Sequence, residues 1–136
     1  MSALLLDTHV LLWWLLKPRK LSRKAYRLIE RGDVAVSVIS IWEVRIKADG
    51  GKLIVPPGPL PALIEQQGFR ILPLHVAHVM SAADIGGMHG DPSDRMLVGT
   101  ARAERMVFLT RDAQILASAA AVLGEQRSNT PGRTAE

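Results

Sequence analysis

A chain of 136 residues has room for one domain with one core, and little for a second. With 48% apolar residues it needs no staples, which excludes wholesale disorder; with no cysteine it has neither disulfides nor thiolate metal sites, a composition that suits a reducing cytoplasm. The balance of 17 basic to 13 acidic residues leaves a net charge of +4, a surplus that suits a polyanionic partner without requiring one.

The segment from Ala3 to Leu16 is very apolar, yet it holds Asp7 and His9. It is too short to span a bilayer, which takes about 20 apolar residues, and it lacks the features of an export signal. It reads as a buried strand, Leu4-Leu5-Leu6, running into a helix from Val10 to Leu16 that Lys17-Pro18 ends. Ser22 is placed to cap a second helix reaching about Arg31, with Gly32-Asp33 as its stop. Val34 to Ser37 is a second buried strand, and Ser40 is expected to open a third helix to about Ala48, closed by Gly50-Gly51. A proline-rich turn from Pro56 to Pro61 leads into a short helix ending near Gly68. Phe69 to Leu74 reads as a third strand, followed by a helix from Val76 to Ala83 and a loop from Gly86 to Gly90. Asp91-Pro92 starts a helix to about Arg105, Val107 to Thr110 is a fourth strand, and Ala113 to Ala119 is another helix before a short last strand at Ala121 to Leu123. Strands alternating with helices predict an α/β fold of three layers, a central parallel sheet with helices on both faces. The domain is expected to span residues 1–124, and the polar stretch 125–136 to be a flexible tail.

In an open parallel sheet, chemistry gathers beyond the carboxyl ends of the strands. Asp7 directly follows the first strand, Glu43 lies early in the third helix, Asp94 lies in the first turn after Asp91-Pro92, and Asp112 follows the fourth strand by two residues. Four carboxylates from separate segments can converge on one cleft, where they repel unless a cation joins them. Hard oxygen ligands of this kind select Mg²⁺ or Mn²⁺ over zinc, and such ions activate water for phosphodiester cleavage. Each acid also has a structural reading. Ser40-Ile41-Trp42-Glu43 matches a capping box, and Asp7, Asp91, Asp94 and Asp112 all stand where helix caps or first turns favour acids.

Four blocks in this order, Leu4-Leu5-Leu6-Asp7-Thr8-His9, Ser37 to Glu43, Asp91 to Val98 and Leu109-Thr110-Arg111-Asp112, resemble PIN-domain proteins, and among them the VapC-like toxins of prokaryotic type II toxin–antitoxin pairs. The resemblance covers residues 3–124. It implies a Mg²⁺- or Mn²⁺-dependent endoribonuclease, a homodimer, held inactive by a cognate antitoxin. The family's acidic quartet falls on Asp7, Glu43, Asp94 and Asp112, which would be both catalytic and metal ligands. Asp91 matches the family's Asp-Pro-x-Asp-Arg stretch but favours capping or a supporting role, and Thr8 and Thr110 are placed to orient a carboxylate or a bound water. Departures from the family pattern at Ser93, Ile85-Gly86 and Met88 touch the loop before the third acid, and bear on substrate preference.

Other features carry weaker signals. His9, His75, His78 and His89 read as exposed or core-edge residues rather than ligands. Arg19, Arg23 and Arg27 recur every four residues and would line one helix face, either solvated or touching RNA phosphates. The first helix is apolar all round, which makes Trp13 and Trp14 candidates for a partner interface or for the core. Two alternatives stand beside the nuclease: a non-catalytic PIN-like binding module, and a phosphatase of the haloacid dehalogenase type, which would want a second Asp where His9 stands.

Overall fold

In the computed structural model, which describes residues 3–85 and 91–110, the leucines of β1 (Leu4–Leu6) alternate between two cores. Leu4 and Leu6 enter one buried cluster and Leu5 the other. Strand β2 (Val34–Ser37) does the same, with Val34 and Val36 on the first side and Ala35 on the second. A strand buried on both faces needs apolar residues at every position, which is why these segments read as unbroken apolar runs.

With β3 (Arg70–Leu72) and β4 (Val107–Leu109), they form a four-stranded sheet of order β3-β2-β1-β4. Every pairing is parallel, and Leu4 stands opposite both Val34 and Val107. The first cluster is filled by α1 (Thr8–Leu16) through Val10 and Leu11, by α2 (Arg23–Arg31) through Ala25 and Ile29, and by α4 (Leu60–Gln66) through Ile64. The second is filled by α6 (Pro92–Glu104) through Leu97, Val98 and Ala101, with α5 (Val76–Asp84) packed against that helix. The expected three layers are present. Helix α3 (Val38–Asp49) borders both, with Ile41 against the first cluster and Ile39 against the second.

The α5–α6 contact is close enough that position 99 must be glycine-sized. A Cβ on Gly99 would lie 2.5 Å from the Ala82 nitrogen. His78, expected at the surface or core edge, is fully buried on α5. Its Nδ1 accepts the His75 backbone N–H at 3.1 Å, so Nε2 carries the proton and donates to Glu104 at 2.6 Å.

Several boundaries follow from local chemistry. Ser22 caps α2 as expected, its Oγ accepting from the Ala25 N–H at 3.0 Å. Ser40 does not open α3. Strand β2 runs into the helix without a loop, and Ser37 takes the cap by accepting from the Ile39 N–H at 3.0 Å. Strand β3 stops at Leu72 because Pro73 cannot donate to a ladder. Among the described residues, no helix is long and apolar enough to cross a membrane. The loop 86–90 with His89, the helix and strand expected at 113–123, Asp112 and the tail 125–136 lie outside the described residues.

Candidate active site

From β1 the chain passes through α1 and α2 to β2 on one side of the sheet, while β4 flanks β1 on the other. Chain order therefore reverses at β1, and the crevice beyond its carboxyl end is where such sheets place ligands. Asp7 is the first residue in that crevice. Its backbone N–H donates to the Leu109 carbonyl at 3.0 Å, continuing the β1–β4 ladder by one residue. Its carboxylate caps α1, with Oδ1 accepting from the His9 N–H at 3.3 Å, and Oδ2 accepts the hydroxyl of Thr110.

Asp7 is only 3% exposed. Burial pushes its carboxyl above the usual carboxylate value, while the Thr110 hydroxyl, the His9 amide and the His9 charge pull it back, and the charge of Glu43 adds to the rise. The cap reading of Asp7 holds, with one oxygen serving the helix and the other held by Thr110.

Because α3 starts at Val38, Ser40, Glu43 and Lys47 fall at helical spacing on one face. That start overturns the capping box, since Glu43 is too far into the helix to reach back to its first amide. Instead Glu43 is buried, and its Oε1 lies 2.7 Å from the hydroxyl of buried Thr8, which also lies 2.9 Å from the Ser40 hydroxyl. Thr8 has one proton to give, and the carboxylate is the stronger acceptor, so Ser40 donates to Thr8 in return. The other oxygen of Glu43 is taken by Lys47, whose Nζ lies 2.7 Å from Oε2.

Helix α6 brings its acids to the same region. Asp91 caps it, accepting from the Ser93 N–H at 2.8 Å, and Pro92 follows in the first turn with Asp94. Arg95 ties this start to the end of α5 by donating to the carbonyls of Ala82 and Ile85, both at 3.1 Å. The charges of Asp91 and Asp94 act on the Lys47 ammonium. Its bond to Glu43, together with those charges, holds it above the ordinary lysine value against the opposing effect of burial.

Two hydrogen-bonded pairs, Asp7–Thr110 and Glu43–Thr8, therefore stand near enough for the charge of Glu43 to act on Asp7, and the charges of Asp91 and Asp94 act on Lys47. Ser40 and Lys47 were missed from the sequence; the signal for Lys47 was its place one helical turn after Glu43. Among the described residues, no three His, Cys, Asp or Glu side chains stand close enough to complete a cation site. The donor chemistry nonetheless suits a hard divalent ion, with oxygen ligands alone and a buried Asp7 whose negative charge is costly without a counter-ion.

Arg19 belongs to the 3-10 turn Pro18–Lys20 and not to α2, because the extended Leu21 and Ser22 separate the two segments, so the three arginines do not share one helix face. They nevertheless line one shallow depression with Tyr26 and Glu30. The nine residues of α1 carry the chain about 13 Å along its axis from Asp7 before this depression begins. Trp13 and Trp14 are half-buried against the first core cluster. The Trp14 ring lies 4.9 Å from that of Tyr26 and 5.9 Å from that of Phe69, and its Nε1 donates to Gln67 at 3.1 Å. Lys20 stands 5.6 Å over Trp13. Trp42 is 56% exposed and lines an apolar groove of about 600 Å³ with Ile41, Val55 and Leu60.

Comparison with known proteins gives concordant matches. A family model described as PIN domain matches residues 4–121. Ribonuclease VapC22 of Mycobacterium tuberculosis (strain ATCC 25618 / H37Rv) is 28% identical over 119 residues, covering 85% of this chain and 91% of that protein. Among solved structures, a toxin–antitoxin complex from Klebsiella pneumoniae superposes with a TM-score of 0.59 at 19% identity, covering 83% of this chain and 89% of that one. FitAcB from Neisseria gonorrhoeae gives a TM-score of 0.58 at 24% identity, covering 85% of this chain and 92% of that one.

Proposed function

This chain belongs to the PIN domain family, and on that premise we propose that it is a Mg²⁺- or Mn²⁺-dependent endoribonuclease, the toxin of a toxin–antitoxin pair. The observation that carries the reading is the pairing of Asp7 and Glu43. Two carboxylates, one at the end of β1 and one on α3, are both buried, each held by a threonine hydroxyl, with Asp7 at the crevice where the sheet places ligands. Burying such charges without a function is costly. The ribonuclease VapC22 match gives the substrate class.

In this reading Asp7, Glu43, Asp94 and Asp112 hold the metal or orient its water. A divalent cation so held supplies an activated water and a counter-charge to the phosphate. Thr110 and Thr8 fix the rotamers of Asp7 and Glu43, so the oxygens are set before substrate arrives. Asp91 and Arg95 fix the start of α6, and with it Asp94. Arg19, Arg23 and Arg27 contact phosphates of RNA away from the cut. The solved toxin–antitoxin complex that shares this fold supports an antitoxin partner. In this reading Trp13 and Trp14 lie at or beneath that interface, and the chain is a homodimer acting in the cytoplasm on RNA.

The test is cleavage of a defined RNA by the purified protein with Mg²⁺ or Mn²⁺, with a chelator, and by Asp7→Asn. Metal-dependent cutting lost in the variant supports the reading. Equal cutting by the variant removes Asp7 from the site. Binding without any cutting would favour the non-catalytic module.

A further inference from the structure

Lys47 stands where a buried carboxylate meets solvent. Its side chain is 31% exposed, whereas that of Glu43, 2.7 Å away, is 6% exposed. Glu43 already has a donor on its inner oxygen in Thr8, so Lys47 occupies the outer one. Asp91 and Asp94, at the start of α6, add their field to the same ammonium, so acids of two helices act on it. An ordinary surface pair one helical turn apart contributes little and faces water. This one joins a buried carboxylate, and the charges of two further acids act on its ammonium.

A phosphodiester is an anion, and an acidic crevice repels it unless cations meet it there. A lysine offers a point charge on a flexible four-carbon stem, so rotation about its last bonds moves the ammonium by a few ångströms without moving α3. Once the charge on Glu43 is matched by another cation, the ammonium is released to a better acceptor, and a non-bridging phosphate oxygen is one.

We propose that Lys47 is a catalytic residue whose ammonium, seated on Glu43 in the free protein, passes to a non-bridging oxygen of the scissile phosphodiester when RNA enters. This rests on the ribonuclease reading above. The ammonium stabilises the negative charge that grows on the phosphate oxygens, and no proton or bond changes hands at Lys47. In the free protein the same contact makes Lys47 a tethered competitor for whatever cation Glu43 holds. The two roles predict opposite effects of removing the charge: easier metal binding and slower turnover.

The experiment compares Lys47→Met, which keeps the stem, and Lys47→Arg, which keeps the charge, with the wild type. Mn²⁺ affinity is read by electron paramagnetic resonance, and turnover on a short RNA in Mg²⁺. Affinity for a 2′-deoxy oligonucleotide that is not cut is read in Ca²⁺. Lys47→Met should bind Mn²⁺ as tightly as wild type or more so, yet lose about 100-fold in kcat, the loss typical of one donor to a developing oxyanion. Lys47→Arg should recover most of that loss. Wild-type turnover in Lys47→Met overturns the proposal, and so does a parallel loss of Mn²⁺ binding and turnover, which would mean that Lys47 only shapes Glu43. If the wild type cuts no RNA, the ribonuclease reading fails on its own, and the oligonucleotide decides. Weaker binding by Lys47→Met keeps Lys47 as a phosphate contact, and equal binding removes it. Should Lys47→Met not fold, Lys47→Gln replaces it, since the amide still donates to Glu43 without the charge.

Discussion

Thr110 gives its hydroxyl to the carboxylate of Asp7, joining residues 103 positions apart in the chain. Parallel pairing of β1 with β4 makes this possible, because each residue stands one step beyond the carboxyl end of its strand. Thr110→Val keeps the shape and removes the donor. A buried acceptor left short of a hydrogen bond costs about 1–3 kcal/mol, read as a lower urea midpoint with an unchanged slope. The hydroxyl also lowers the Asp7 pKa, so its loss should raise it further. The acid limb of the pH–rate profile should therefore move to higher pH. A limb that stays in place would mean that Asp7 does not set it.

Asp7 itself should cost the metal-free protein stability. Its folded pKa is raised above the ordinary 3.8, so in the window between them the native state binds more protons than the unfolded chain. Stability contributed by this group is then fully present below 3.8 and is lost as pH rises through the folded value. Asp7→Asn, whose amide still accepts at the α1 cap, should melt at higher temperature than wild type at pH 7 without metal. That advantage should shrink as pH falls toward 4, while metal-dependent cleavage is abolished at every pH. A variant less stable than wild type at neutral pH would show that the cap and Thr110 contacts outweigh the burial cost.

The sheet was legible because its strands are buried on both faces, and such strands announce themselves as apolar runs such as Leu4-Leu5-Leu6. Asp7, Asp91 and Thr110 were legible because they stand at strand and helix ends, where register fixes position. The start of α3 was not. Ser37 and Ser40 are both good caps, and only the direct passage of β2 into the helix decides for Ser37. That shift removes the capping alternative for Glu43, and brings both Glu43 and Ser40 against Thr8. The burial of His78 was also illegible, because its partner Glu104 lies 26 residues away on another helix. Arg19 and Arg23 keep a helical spacing in sequence that the extended Leu21 and Ser22 break in space, yet both line one depression.

Gly99 sets the distance between α5 and α6. In Gly99→Ala the new methyl would meet the Ala82 backbone nitrogen at 2.5 Å, and backbone cannot swing aside as a side-chain tip does. Overpacking of this kind costs about 1–3 kcal/mol. Because Arg95 hangs the start of α6 on carbonyls of α5, the displacement should reach Asp94 and lower metal affinity along with the melting temperature. Ala82→Gly in the same chain should restore little of either, because the nearest contacts are to the Ala82 backbone. Unchanged metal binding in a destabilised Gly99→Ala protein would uncouple the helix contact from the site.

The arginine depression is separable from the chemistry, since α1 lies between it and Asp7. Replacing Arg19, Arg23 and Arg27 together with Gln should weaken RNA binding and leave saturated turnover nearly intact. If all three touch phosphates, the slope of log affinity against log salt should flatten by about 2, from about 0.7 per contact on single strands. An unchanged slope would leave the three as solvated charges.

Trp13 and Trp14 should part company. Trp14 is tied to Tyr26 on α2 and to Gln67 and Phe69 between α4 and β3, two separate segments of one core side. Its removal takes a large ring from that packing, and large-to-alanine changes in cores cost about 3–5 kcal/mol. Half-buried Trp14 should fall at or below the lower end, yet Trp14→Ala should still be plainly destabilised. Trp13 keeps part of its ring toward solvent beneath Lys20, so Trp13→Ala should fold with a smaller loss. Trp residues are common anchors of protein interfaces. Trp13→Ala should therefore be the informative variant: folded by circular dichroism, but impaired in co-purifying a co-expressed antitoxin or in dimerising by sedimentation. If Trp13→Ala binds and dimerises as wild type does, the contact surface lies elsewhere. The exposed ring of Trp42 on α3, beside its apolar groove, is then the next residue to replace.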